Sequence, residues 1–203
     1  MARIEFFFDC SSPWTYLGFD SLCCLAGAKG LEIDWKPILV GGVFNTVNPS
    51  VYASRENPVP AKARYMRKDL ADWAHHQGLS ITMPPSVFPV NSAKAMRGCF
   101  LAEENSRLVP YARAVFEAYW SEDRDISQET VLRDLAPSAG VDADTFIARV
   151  SDADLKERLK ANTEELIARN GFGSPTLFLD GTDMYFGNDR IPLVRAALER
   201  NGG

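Results

Sequence analysis

The sequence predicts an α/β fold in which a four-stranded mixed sheet is interrupted by a large all-helical insertion. Residues 1–44 read β-α-β, and their crossover helix suits a parallel pair of strands. Residues 156–203 read α-β-β-α, with the two strands joined by a turn of hairpin length. The segment between them, residues 45–155, has helical periodicity and no strand pattern. We therefore expect both ends to form one domain around the sheet and the middle to form the insertion.

The opening β-α-β unit has the clearest signals. Residues 3–9 are an apolar strand, and residues 13–29 have the spacing of a helix. Pro13 occupies the first helical position, where a missing N–H costs nothing, and Ser12 precedes it at the N-cap. Residues 31–37 alternate apolar and charged side chains, which is typical of a half-buried strand.

The middle of the chain is predicted to be helical except for two connections. Residues 45–60 are polar and rich in Asn and Pro, which indicates a loop. Residues 83–89 contain too many prolines for regular structure and are expected to be extended. Helices are predicted over residues 61–78, 92–105, 109–120, 142–150 and 152–170, with another beginning near residue 126 and capped by Ser127.

The closing segment returns to strands. Residues 174–181 and 184–186 are predicted strands joined by an Asp-Gly turn, and a last helix runs from Asn188 to about residue 200. Pro175 stands at the start of the first of these strands, where it removes a ladder donor. A cis Ser174-Pro175 bond is one solution and a trans proline at a strand edge is the other.

Composition limits the function classes. The chain has 203 residues, a net charge of -5 and 46% hydrophobic residues, as in ordinary soluble globular proteins. Its basic residues are scattered, which argues against nucleic acid as a partner. No apolar run reaches the roughly 18 residues that span a bilayer, and the N-terminus lacks a signal-peptide pattern. We expect no membrane partner and a cytoplasmic location.

The four cysteines, at positions 10, 23, 24 and 99, do not form a C-x-x-C motif. A disulfide framework and a zinc site are therefore not expected, and only two histidines are present to help bind a metal. Cys23, Cys24 and Cys99 are interpreted as small buried hydrophobic residues. Cys10 lies in the turn before the first helix, so a redox or substrate-contact role stays open.

The turn before the first helix is the candidate site. The Ser12 hydroxyl would lie beside the free N–H groups and the positive end of a helix, a place that favours an anion, including a thiolate. The same residues also describe an ordinary Ser-Pro helix start. The stretch alone leaves both interpretations open.

A family resemblance decides between them. Residues 8–17 (FDCSSPWTYL) are similar to the F-D-x-x-S-P-[YFW]-[ST]-[YW]-L opening of the 2-hydroxychromene-2-carboxylate isomerases and the kappa-class glutathione transferases. Further segments resemble motifs of the same family in the same order, at residues 37–44, 60–70, 88–92, 171–176 and 186–190. The resemblance implies a thioredoxin-like fold of the DsbA type. Where that fold often has C-x-x-C, this chain has Ser12-Pro13-Trp14-Thr15, which excludes dithiol exchange by that motif.

The resemblance implies a glutathione-dependent cis-trans isomerase. Such an enzyme converts a chromene carboxylate to a benzylidenepyruvate through transient addition of the glutathione thiol, during degradation of aromatic compounds. The turn at residues 88–92 favours this branch. One alternative is a transferase or peroxidase of the kappa type, and another is a noncatalytic thiol-binding or redox-sensing protein. The family also implies a homodimer.

Site residues follow by matching motifs. The resemblance makes Ser12 the catalytic residue that holds the glutathione sulfur. It assigns the rest of the glutathione site to Asn48, Lys62, Ser174, Pro175, Asn188 and Asp189. Within that set, Ser174 would contact the cysteinyl part through its main chain, the 188–189 pair would hold the γ-glutamyl group, and Lys62 would meet the glycyl carboxylate. The substrate pocket would include Cys10, Trp14, Phe88 and Asn91.

Overall fold

The computed structural model describes residues 3–201, and its centre is a four-stranded mixed sheet. The sheet has the order β2-β1-β3-β4. Strand β1 pairs in parallel with β2 and antiparallel with β3, and β3 pairs antiparallel with β4. The strands are β1 (Ile4–Phe8), β2 (Ile33–Pro37), β3 (Thr176–Leu179) and β4 (Asp183–Phe186). The predicted mixed sheet, built from both ends of the chain, is confirmed.

Helices cover the sheet and fill the middle of the chain. They are α1 (Pro13–Lys29), α2 (Val40–Val47), α3 (Ser50–Glu56), α4 (Pro60–Gln77), α5 (Ala93–Glu104), α6 (Leu108–Phe116), α7 (Glu129–Leu135), α8 (Ala143–Arg149), α9 (Ala153–Ala168) and α10 (Ile191–Asn201). A π-helical turn, Glu117–Ser121, extends α6, and short 3₁₀ turns occur at Ala136–Ala139 and Asn188–Arg190. Among the described residues, no strand falls within the predicted insertion.

Helix α1 begins and ends where the sequence predicts. Ser12 is its N-cap, in an extended conformation, and accepts a hydrogen bond from the Thr15 N–H. Gly30 ends the helix at a φ of 64°, a left-handed conformation that glycine adopts readily. The first turn of α1 contains no acidic residue, so nothing within it offsets the positive end of the helix dipole.

Two local predictions are wrong. Residues 45–60 are not a loop, because α2 and α3 occupy most of them. The apolar spacing that makes α2 a helix begins at Val40, ahead of the polar stretch, and Val40 and Val43 are buried. Ser127 does not cap α7: its amide and hydroxyl bind the Asp125 carboxylate, and Gln128 takes the cap position. The burial of Val40 and Val43 explains α2, and the contact with Asp125 explains why Ser127 does not cap α7.

Two segments that contain proline, residues 83–89 and the Ser174-Pro175 bond, adopt conformations that the sequence allowed. Ser174-Pro175 is a cis peptide bond, so the alternative of a trans proline is wrong. Residues 83–89 contain no helix or strand, as predicted, and hold two more cis bonds at Met83-Pro84 and Phe88-Pro89.

One continuous apolar core joins the sheet to the middle helices. Every residue of β1 is buried, since the strand lies inside the sheet between two helical layers. Tyr16 of α1 stacks on Phe116 of α6, with ring centroids 5.1 Å apart and planes 7° apart. The domain boundaries at residues 44/45 and 155/156 stay a prediction. Within residues 3–201, no helix combines the length and apolarity that crossing a membrane requires.

Candidate active site

The turn between β1 and α1 is organised by a buried carboxylate. Asp9 is 1% exposed and accepts hydrogen bonds from the Ser11 N–H and the Val40 N–H, each at 2.9 Å. Burial raises the pKa of Asp9 above its ordinary value and so favours the neutral acid. Asp9 therefore ties the turn to the start of α2. Its sequence signal is an acid placed directly after an apolar strand.

Ser12 lies where two segments meet. Its hydroxyl accepts a hydrogen bond from the Thr15 N–H at 3.3 Å and donates one to the Ser174 carbonyl oxygen, also at 3.3 Å. Both bonds are long, and the residue is only partly buried. A group bound at this point can therefore accept a hydrogen bond from the Ser12 hydroxyl without breaking a strong contact.

Ser174 also contributes its side chain, which the family resemblance does not assign. Its hydroxyl accepts a hydrogen bond from the Asp9 N–H at 3.1 Å and lies 2.7 Å from the Thr15 hydroxyl. Ser174 and Thr15 are both buried. These bonds fasten the loop before β3 to the first turn of α1. The sequence signals for Thr15 are its place three residues after the N-cap and the [ST] position of the opening motif.

The turn that precedes α10 packs against the same region. The Gly187 N–H donates to the Pro175 carbonyl oxygen at 3.0 Å. Helix α1 comes close because Gly18 has no side chain: a Cβ there would lie 3.0 Å from Pro175 Cγ and 3.6 Å from Asn188 Cα. The Pro175 loop thus contacts both Ser12, through Ser174, and the turn that holds Asn188, along the first two turns of α1.

Asn188 has an unused donor. The residue is 5% exposed, and its Nδ2 is buried with no hydrogen-bond partner among the described residues. A buried amide without a partner costs about 1–3 kcal/mol, which is a strong reason to look for a ligand. Asp189 beside it is half exposed and forms an ion pair with Arg190.

The other two residues assigned to glutathione lie outside this cluster. Asn48 ends α2 and donates its side-chain N–H to the Phe172 carbonyl oxygen at 3.1 Å, close to the Pro175 loop. Lys62 is exposed in the first turn of α4, and within residues 3–201 it forms no ion pair. No contact in the structure joins Lys62 to Ser12.

Three residues assigned to the substrate pocket lie at different places on the surface. Trp14 is partly buried against the apolar contact between α1 and α4, which includes Leu17 and Leu70. Phe88 is 37% exposed. Asn91 is exposed, and its side chain accepts a hydrogen bond from the Ala93 N–H, a local role at the start of α5.

An aromatic rim lies near the Pro175 loop, and of its members the motifs assigned only Phe88. We define it by the side chains of Phe44, Phe88, Phe172, Phe186 and Arg55. The Phe172 and Phe186 rings are 4.4 Å apart, and the Arg55 guanidinium lies 5.8 Å from the Phe44 ring and 5.5 Å from the Phe88 ring. Phe186 and Phe44 both approach Gly173, the residue before Ser174. The rim offers flat apolar faces and one cation.

Cys10 is not in a pocket, and this corrects its assignment. Its side chain is 0% exposed and belongs to the main core. Its carbonyl oxygen accepts a hydrogen bond from the Trp120 indole N–H at 2.8 Å. Burial raises the pKa of the Cys10 thiol well above its ordinary value, which disfavours the reactive thiolate. The expectation that the cysteines outside the turn are buried holds for Cys99 and is wrong for Cys24, which is exposed.

This burial leads to a labelling prediction. In the folded protein at pH 9, iodoacetamide should modify Cys24 and leave Cys10 unmodified, because raising the pH to 9 does not reach the elevated pKa of Cys10. In urea both should react. Peptide mass spectrometry measures the two rates in one sample, with Cys24 as the internal control. Equal rates in the folded state would contradict the buried assignment.

Comparisons with known proteins identify the family and the fold. Residues 3–199 match the family model described as a DSBA-like thioredoxin domain. The chain is 31% identical to a 2-hydroxychromene-2-carboxylate isomerase of Pseudomonas putida, over 97% of this chain and 94% of the relative. It is 28% identical to the human glutathione S-transferase kappa 1, over 96% of this chain and 90% of the relative. A solved structure of a 2-hydroxychromene-2-carboxylate isomerase superposes with a TM-score of 0.82 at 28% identity, covering 98% of this chain and 95% of that one.

Proposed function

The chain belongs to the DSBA-like thioredoxin domain family, and on that premise we propose that it is a glutathione-dependent isomerase of the 2-hydroxychromene-2-carboxylate type. The proposed reaction converts a chromene carboxylate to the corresponding benzylidenepyruvate. A homodimer is part of the proposal, by analogy with the family.

The observation that carries the proposal is the unpartnered Asn188 amide, in the turn that packs against the Pro175 loop and α1. Its donor lies at the turn that opens α10, where a carboxylate is also favoured by the helix end. Asp189 could exchange its ion pair with Arg190 for a ligand ammonium. A γ-glutamyl group has both charges, so the residues present fit glutathione. Bound glutathione would supply the thiolate nucleophile.

Ser12 and α1 would lower the pKa of a thiol held at this point. The Ser12 hydroxyl can donate to a sulfur anion, and the free N–H groups of α1 add positive potential. The turn therefore favours a negatively charged sulfur.

The aromatic rim supports an aromatic carboxylate as substrate. Flat rings such as Phe44 and Phe88 suit a bicyclic aromatic body, and Arg55 lies between them as a partner for a carboxylate. Lys62, Asn48, Trp14 and Asn91 stay in the proposal as assignments that rest on the family resemblance.

A kappa-type transferase or peroxidase is the second candidate, because the human kappa-class relative matches nearly the same length at 28% identity. Thiol balance separates the two. With 2-hydroxychromene-2-carboxylate, we expect the absorbance to change while free glutathione stays constant. Loss of one thiol per turnover would instead indicate conjugation, and with a peroxide as substrate, loss of two thiols per turnover to form glutathione disulfide would indicate peroxide reduction. A redox-sensing role for Cys10 is disfavoured because its thiol is buried.

The Asn188 donor can be tested by an isosteric change. Asn188→Asp replaces the free N–H donor with an acceptor that repels a carboxylate, and we expect the Kd for glutathione to rise about tenfold or more. Isothermal titration calorimetry measures it. Asn105→Asp makes the same change at an exposed position at the end of α5 and should leave Kd unaltered. Equal affinity of wild type and Asn188→Asp would remove this residue from the site.

A further inference from the structure

A cavity lies on the opposite side of α2 from the aromatic rim. It has a volume of about 320 Å³, within the range of small-ligand pockets, and it is bounded by α2, α5 and α9. On α2, Gly42 and Thr46 face the cavity, whereas Phe44, half a turn away, faces Gly173. Gly42 lets α2 and α9 approach closely, since a Cβ at Gly42 would lie 3.3 Å from Thr163 Cγ2.

Arg97 of α5 lines this cavity and has no partner. It is 9% exposed, and its Nε is buried without a hydrogen bond. Among residues 3–201, no carboxylate forms an ion pair with it. Burial lowers its pKa, as expected for a guanidinium that no anion compensates. An unpaired buried charge is costly to a fold, so a ligand that supplies the missing anion is the direct explanation.

The other charged side chains in the cavity wall also favour a negatively charged ligand. Lys156 and Lys160 of α9 line the cavity beside a single carboxylate, that of Glu164. Lys160 is loosely paired with Glu164 at 3.9 Å, which leaves Arg97 and Lys156 without a compensating anion. The rest of the wall is largely apolar, from Leu39, Ala93, Leu159 and Ile167. A ligand that fits has a negative head and an apolar body.

We propose that the cavity between α2, α5 and α9 binds a small organic carboxylate, whose head pairs with Arg97 and whose body lies on the leucine and isoleucine wall. Lys156 contributes long-range attraction at the mouth. Inorganic phosphate shares the charge but lacks the apolar body, so it should bind much more weakly. The proposal does not depend on the glutathione site.

The site adjoins the turn before α1 through one peptide unit. The Leu39 N–H donates to the Thr163 hydroxyl at 3.0 Å in the cavity wall, and the next amide, that of Val40, donates to Asp9. A ligand on this wall would therefore contact the segment that holds the Asp9 turn.

Thermal unfolding with octanoate, octanamide and phosphate tests the proposal. Octanoate at saturation should raise the Tm of the wild-type protein by roughly 5 °C, with or without saturating glutathione. Octanamide, of the same length but neutral, should cause no comparable shift, and phosphate should cause little. Equal shifts with octanoate and octanamide, a larger shift with phosphate, or loss of the octanoate shift on adding glutathione would overturn it.

Two sets of variants tie the binding to these residues. Arg97→Met should keep or raise the Tm without ligand, because a buried unpaired charge is replaced by an apolar chain of similar length, and should weaken octanoate binding about tenfold or more. Arg195→Met, at an exposed position on α10, is the matched control and should bind octanoate normally. Lys156 and Lys160 are exposed, so replacing both with Gln should leave the fold intact. This double variant should weaken octanoate binding several-fold. Unaltered octanoate affinity in both the Arg97 and the double-lysine variants would contradict the site.

Discussion

Ser12→Ala is expected to lower kcat/KM about 100-fold, the loss seen when one preorganised donor to a reacting anion is removed. The hydroxyl accepts the Thr15 N–H and has its proton available for a ligand, since the bond to Ser174 O is long. Without it, the pKa of the bound thiol should rise, and the acidic limb of the pH profile of kcat/KM should move to higher pH by about one to two units.

The pH profile separates this role from a structural one. Ser12→Ala also removes the N-cap of α1, at a cost of about 1 kcal/mol in the free energy of unfolding, but losing a cap alone does not move a kinetic pKa. Ser11→Ala, one residue earlier, is the control and should keep kcat/KM within about threefold. A Ser12→Ala enzyme with wild-type turnover and an unmoved pH profile would rule out Ser12 as the thiol partner.

Gly18→Ala should destabilise the protein and weaken the site at the same time. The new Cβ would lie 3.0 Å from Pro175 Cγ, so the Pro175 ring must move away, whereas its distance of 3.6 Å from the Asn188 backbone is an ordinary contact. Overpacking of this kind costs about 1–3 kcal/mol in the free energy of unfolding. Because Pro175 and Asn188 belong to the proposed glutathione site, the Kd for glutathione should also rise.

Gly27→Ala is the matched control on the same helix. Gly27 is exposed, and a Cβ there meets nothing within 4 Å. Replacing it should raise the free energy of unfolding by about 0.5–1 kcal/mol, with unchanged glutathione binding. Urea unfolding and calorimetry on both variants give the comparison. Equal stability effects at the two positions would contradict the close approach of α1 to the Pro175 loop.

Local signals explain what could be predicted from the sequence. The Ser12-Pro13 start of α1 and Gly30 at its end depend on the geometry of their immediate neighbours, and both are confirmed. The mixed sheet built from both ends of the chain is confirmed as well. For Ser174-Pro175 the sequence left a cis and a trans bond open, and the structure has the cis bond.

Long-range contacts explain what could not be predicted. Nothing near Cys10 in the chain indicates that its side chain points into the core beneath the turn, or that Trp120, 110 residues later, binds its carbonyl. The bonds from Ser174 to Asp9 and Thr15 join positions about 160 residues apart. Helix α2 extends into residues 45–60 because its buried side chains, Val40 and Val43, pack in the tertiary structure, which outweighs a local composition typical of loops. Helix α3 has no buried residue, and nothing in the structure explains why it is helical.

The structure of the protein in complex with glutathione tests the central claim most directly. We expect the glutathione sulfur within hydrogen-bonding distance of the Ser12 hydroxyl, about 3.0–3.5 Å, and the γ-glutamyl carboxylate within hydrogen-bonding distance of the Asn188 amide. A sulfur bound elsewhere, or joined in a disulfide to a protein cysteine while the Ser12 hydroxyl still binds Ser174, would contradict it.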